Sequence, residues 1–121
     1  MKRARLEEAQ TIPRDYGKMI MLAGGTNLHA MNSDLRILYI RAGASTSKHY
    51  HVKSESVFHV LRGELRMEVD GASNGLSEGD TIVIEPNETH VLRNVGEDEA
   101  VVIESMSPGF SKKDIFYLDD V

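Results

Sequence analysis

Residues 48–64 read KHYHVKSESVFHVLRGE, and its opening holds side chains that can ligate a metal, His49, His51 and Glu55. In an extended chain, residues two apart share a face, so His49 and His51 aim both imidazoles at one point. A third imidazole, His90, opens an apolar run behind a Pro86-Asn87 turn. Pro86 restricts the backbone and Asn87 tolerates positive φ, so the turn sets where His90 points. With no cysteine, the chain has no disulfide, no thiolate nucleophile and no sulfur-ligated zinc. Any metal must be held by histidine and carboxylate, a donor set that suits manganese, iron, nickel or zinc. A His-x-His pair alone often only decorates a sheet edge. Its weight depends on whether the chain supplies further ligands and a cavity.

Positioning these residues requires strands, and strand signals run through most of the sequence. Segments 18–22, 35–41, 80–84, 90–95 and 100–105 are short, apolar or β-branched, and bounded by Gly, Pro, Asn or Asp. Leu65, Met67 and Val69 alternate with Arg66, Glu68 and Asp70, which predicts the first three inward and Arg66 and Glu68 toward solvent. Asp70-Gly71 and Asn74-Gly75 mark a tight turn, and Gly96-Glu97-Asp98 another. Helical periodicity is confined to 6–10. The pattern predicts an all-β sandwich or barrel. Four strand-sized segments lie between His51 and His90, enough for the chain to go out, return and set His90 beside the His-x-His strand.

At 121 residues the chain fits one domain. Its core is expected over 18–106, with an N-terminal arm over 1–17 and a C-terminal tail over 107–121. The net charge of −5 and pI near 5.5 argue against a nucleic-acid surface. Lys2, Arg3 and Arg5 are not followed by the apolar stretch of a signal peptide, and no segment reaches membrane-spanning length. A soluble, cytoplasmic protein is expected. The tail carries Phe110, Ile115, Phe116 and Leu118, which need burial against the chain's own barrel or a partner subunit.

Taken as a pair, the motifs resemble those of a small single-domain cupin over residues 35–105. The first runs Gly43, five residues, His49-Tyr50-His51, three residues, Glu55, seven residues, Gly63; the second has Gly79, His90 and Asn94 at the family spacing. Two departures stand in the second motif: Glu85 precedes Pro86 where the family usually has Pro, and Asn87 replaces the turn Gly. The resemblance implies a jelly-roll or double-stranded β-helix barrel with a divalent metal, a small-molecule ligand or substrate, and a homodimer.

The spacing around Glu55 admits two registers. Counting forward from His51 selects Glu55, and turns Val57 and His59 inward. Counting back from Gly63 selects Ser56, and turns Phe58 and Val60 inward. Glu55 is favoured as a fourth ligand because three neutral imidazoles leave the ion's charge uncompensated. His59 is read as packed or outward, and His29 as a loop residue. Tyr39, Arg36, Arg41, Glu64 and Glu68 are candidate acid or base groups whose facing is unassigned. The function expected is a metal-dependent enzyme on a small polar metabolite, either a sugar isomerase or epimerase type or a dioxygenase. A non-catalytic ligand-binding cupin is the alternative. An interior with Arg, Lys and a second carboxylate suits a phosphorylated or acidic sugar; one with only His and apolar groups suits oxygen chemistry or simple binding.

Overall fold

In a computed structural model describing residues 1–24 and 28–118, the chain is all β apart from a 3-10 turn at Leu6–Glu8 among the described residues. The strands are β1 Gln10–Arg14, β2 Gly17–Ala23, β3 Asp34–Ile40, β4 His49–Tyr50, β5 Glu55–Arg62, β6 Leu65–Val69, β7 Ala72–Leu76, β8 Thr81–Ile84, β9 His90–Asn94, β10 Ala100–Ser107 and β11 Phe116–Tyr117. They form a six-stranded sheet, ordered β1-β2-β3-β10-β5-β8, and a five-stranded sheet, ordered β11-β4-β9-β6-β7. The two sheets share no strand, so this is a two-sheet jelly roll rather than one closed cylinder. From β3 onward the chain crosses repeatedly between the sheets. That crossing makes β4 and β9 neighbours although four strands separate them in sequence. No helix among the described residues is long and apolar enough to cross a membrane.

The space between the sheets is filled at one end and hollow at the other. Ile40, Val60, Leu65, Ala100 and Val102 are each at most 1 % exposed and close the filled end. Following the same strands by steps of two leads into polar territory. On β3 the buried positions run Ile40, Leu38, Arg36, Asp34; on β10 they run Ala100, Val102, Glu104, Met106. Strand periodicity thus carries charged side chains into the interior on the same face as the core.

The expected alternation in β6 holds: Leu65 and Met67 are buried and Val69 packs against the core, while Arg66 is exposed and Glu68 half-buried beside Arg93. Asp70 and Gly71, with φ of 48° and 86°, form the two-residue hairpin expected there. Asn74-Gly75 is not a turn. Both residues lie in the edge strand β7, where they pair with Met67 and Arg66. The N-terminal segment is more than an arm, since residues 10–14 add an outermost strand to β2, with Pro13 tolerated at the sheet edge. The tail folds back on its own barrel: β11 pairs with β4, and the Phe116 ring stacks on Tyr50 at 5.1 Å.

Because Met67 is fully buried and its neighbour Arg66 exposed, the two should respond oppositely to truncation. Met67→Ala is expected to cost about 2–5 kcal/mol in a urea titration, and Arg66→Ala less than about 0.5 kcal/mol. Equal costs would contradict the facing of β6.

Candidate metal centre

His49 lies in β4, His51 just beyond it, and His90 at the head of β9, where His49 and His90 are direct cross-strand partners. Asn87 takes φ 70° in the turn before β9, and its N–H donates to the His51 carbonyl at 2.6 Å. The turn therefore ties the second histidine cluster to the first. Ring centroids lie 5.1 Å apart for His49 and His51, 4.4 Å for His49 and His90, and 6.0 Å for His51 and His90. One nitrogen from each ring comes within 4.8 Å of the others, so the three can hold a metal ion.

The hydrogen bonds decide which nitrogen each ring offers. Nδ1 of His49 lies 2.7 Å from the Ser47 carbonyl, Nδ1 of His51 2.6 Å from the Asp114 carbonyl, and Nδ1 of His90 3.0 Å from the Glu88 carbonyl. A carbonyl only accepts, so each Nδ1 carries the proton and, in the neutral ring, each Nε2 presents a bare lone pair. Nε2 of His51 and of His90 is buried with no hydrogen-bond partner. Such nitrogens fit a metal, which takes the lone pair that no donor occupies. Burial lowers the His49 imidazole to about 4, with nearby His90 adding to the shift, and burial also lowers His90. His49 is therefore neutral, as ligation requires, well below pH 7.

Glu55 does not join the three. It is exposed on the outer face of β5, while Ser56, 1 % exposed, Phe58 and Val60 point inward. The parity of β5 is set by its neighbours: Ser56 pairs with Met106 and Ile84, and Phe58 with Glu104, and all of these are buried. Residues 52–54 lie outside any strand, so the alternation does not carry across from His51. The count back from Gly63 is the one realised. His59 accordingly lies on the outer side of β5, sharing a hydrogen bond with the Thr81 hydroxyl at 2.7 Å. His29 is exposed.

The three histidines face a cavity of about 550 Å³ that Arg36, Glu104, Tyr16 and Arg14 also line. Arg36 Nη2 pairs with Asp34 at 2.7 Å, and its Nε lies 3.8 Å from Glu104. Burial, over the opposing pull of Arg36 and with the Asp34 charge adding to it, pushes the Glu104 carboxyl up to about 7. Burial likewise pushes the Tyr16 hydroxyl up to about 12. Of the five acid or base candidates, only Arg36 reaches the cavity. Tyr39 lies under the Lys18 ammonium, Arg41 is exposed, Glu64 accepts from Ser77, and Glu68 pairs with Arg93. Glu104 escaped the sequence reading. Its signal was present, however: the apolar phase of Ala100, Val102 and Met106 includes position 104.

A jelly roll that brings together three imidazoles, from β4, the residue just beyond it and the neighbouring β9, around one cavity of its interior is a cupin-type architecture. The cupin domain family model matches residues 36–106, and the chain belongs to that family. It is 28% identical over 103 residues to polyketide synthase CurC of Streptomyces cyaneus, covering 85% of this chain and 67% of that protein. Among solved structures, a variant of Streptomyces PAC13 with uridine superposes with a TM-score of 0.83 at 13% identity, over 98% of this chain and 92% of that one. An RmlC-like cupin from Shewanella frigidimarina superposes with a TM-score of 0.73 at 24% identity, over 89% of this chain and 91% of that one. These structural likenesses carry the fold.

Two outcomes test the site. In metal-free protein followed by NMR, the His49 ring should stay neutral until the pH approaches about 4. The unfolded chain takes up that proton near pH 6.5, so this group removes stability as pH falls from about 6.5 to about 4. Ordinary titration near pH 6.5 would contradict the burial. Glu55→Gln should leave metal affinity unchanged in competition with a chelator, because Glu55 faces outward.

Proposed function

We propose that the chain is a metal-dependent enzyme that moves a proton beside a carbonyl group of a small polar metabolite, as isomerases and epimerases do. The carrying observation is that three bare imidazole nitrogens and a buried, protonatable Glu104 face one cavity. A divalent ion held by His49, His51 and His90, whether manganese, iron, nickel or zinc, supplies Lewis acidity toward a substrate oxygen. Glu104 takes or returns the proton, and a carboxyl near 7 suits both directions at neutral pH. Arg36 beside it keeps the ionised form accessible, and Tyr16, protonated throughout, offers a donor to substrate hydroxyls.

The proton-transfer reading is favoured over dioxygenation because oxygen chemistry does not call for an acid-base group opposite the imidazoles. Among the relatives, CurC is named a polyketide synthase and Pac13 is described as a nucleoside dehydratase, names that accord with an enzyme acting on a small molecule. A cytoplasmic homodimer belongs to the same proposal, and light scattering at micromolar concentration tests the dimer. The non-catalytic reading survives only if the cavity binds without turnover.

Protein loaded in turn with each of the four metals, held in heavy water with reducing sugars, 2-keto acids and acetylacetone, is expected to wash deuterium into the carbon beside the carbonyl. Glu104→Gln should slow that exchange about 10²–10⁴-fold while leaving metal content intact. The wild-type rate should rise with pH through about 7, as the basic form of Glu104 accumulates. Exchange indifferent to Glu104→Gln, or a purified protein that takes up no metal, would overturn the reading.

A further inference from the structure

Beyond the end of β10, the tail runs along the cavity, and Asp114 is its point of attachment. The Asp114 carboxylate accepts three consecutive main-chain N–H groups: Val52 at 2.9 Å, Lys53 at 3.0 and 3.1 Å, and Ser54 at 3.1 Å. These three donors lie between β4 and β5, outside any strand ladder, and converge as an anion-binding nest. The nest is filled from within the same chain. Asp114 is only 6 % exposed. Its main-chain carbonyl is at the same time the acceptor, at 2.6 Å, for the Nδ1–H of His51. Further bonds hold the tail on either side, from Ser54 Oγ to the Pro108 carbonyl at 2.6 Å and from the Leu118 N–H to the Lys48 carbonyl at 3.0 Å. Phe110, Ile115 and Tyr117 of the same segment form part of the cavity wall.

We propose that Asp114 is a positioning residue for the metal centre: its side chain docks the tail, and its carbonyl thereby fixes the tautomer and rotation of His51. His49 and His90 take their Nδ1 acceptors two residues away on their own segments, from Ser47 and Glu88. His51 alone takes its acceptor from a residue 63 positions away. Without the docked tail, the His51 ring has no partner to hold its proton on Nδ1, and Nε2 is no longer reserved for a metal. Linkage then requires the reciprocal effect, in which metal binding strengthens tail docking. The inference rests on the reading of the three histidines as a metal site, and part of its test is independent of metal.

The test uses the full chain, with Asp114→Ala and the conservative Asp114→Asn. In metal-free protein, ¹⁵N NMR should show the His51 tautomer becoming mixed in Asp114→Ala while His49 and His90 keep the proton on Nδ1. Asp114→Asn, which retains an acceptor without the charge, should fall between. Zn²⁺ affinity by chelator competition should drop about 10–100-fold in Asp114→Ala. If that variant does not fold, amide hydrogen exchange on the wild type decides: the N–H groups of Val52, Lys53, Ser54 and Leu118 should exchange more slowly with saturating Zn²⁺. An unchanged His51 tautomer in a folded Asp114→Ala, or exchange at those amides indifferent to bound Zn²⁺, would overturn the proposal. A wild type with the expected tautomers that takes up no Zn²⁺ would instead overturn the metal reading, leaving the tautomer result to decide the role of Asp114.

Discussion

Each of the three imidazoles gives its Nδ1 proton to a main-chain carbonyl, and the rest of the site depends on that. Burying a polar group without a partner costs free energy, so the ring nitrogens must be accounted for one by one. Nδ1 is satisfied by backbone that the fold holds rigid. Nε2 is left open toward the cavity in His51 and His90, a cost that binding can recover. The carbonyls belong to the Ser47 segment, the Pro86-Asn87 turn region and the tail, so three separate stretches must be in place before the histidines converge.

The division of the interior into an apolar and a polar end has a similar logic. Ile40, Val60, Leu65 and Val102 fill the space between the sheets at one end and leave no room for a ligand. At the other end, Asp34, Arg36 and Glu104 are buried together, an arrangement whose desolvation cost a pair of apolar residues would not incur. A buried carboxyl shifted by desolvation beside a charged partner, facing a cavity, marks a candidate site of chemistry. The apolar end supplies the rigidity that holds those charges in position, because β3 and β10 run through both.

The histidine cluster was legible because its evidence is local. The His-x-His spacing, the turn-forming Pro86-Asn87 and the apolar run behind His90 each depend on a few adjacent residues, and strand periodicity converts them into directions. The inward facing of Leu65 and Met67 followed for the same reason. Local expectation failed where neighbouring strands override it. Asn74-Gly75 has the composition of a turn, yet β6 supplies a ladder of partners that keeps it extended. Residues 10–14, expected within an N-terminal arm, become a strand by pairing with β2.

By itself, the sequence determined an all-β domain, a His-x-His pair, a third histidine opening a later strand, and a cupin pair of motifs around them. Tertiary structure decided the rest. Counting along the chain favoured Glu55 over Ser56, but the irregular residues 52–54 reset the alternation, and the pairing of β5 with β10 and β8 turned Ser56 in and Glu55 out. Glu104 became an interior acid through its placement across the cavity from the imidazoles, a relation between β10, β4 and β9 that no spacing along the chain encodes. Asp114 carries no signal in its local sequence; the fold lays it over three N–H groups outside any strand ladder and beside the ring of His51. Periodicity reports which face of its own strand a residue occupies. What lies opposite that face is set by contacts between segments distant in sequence.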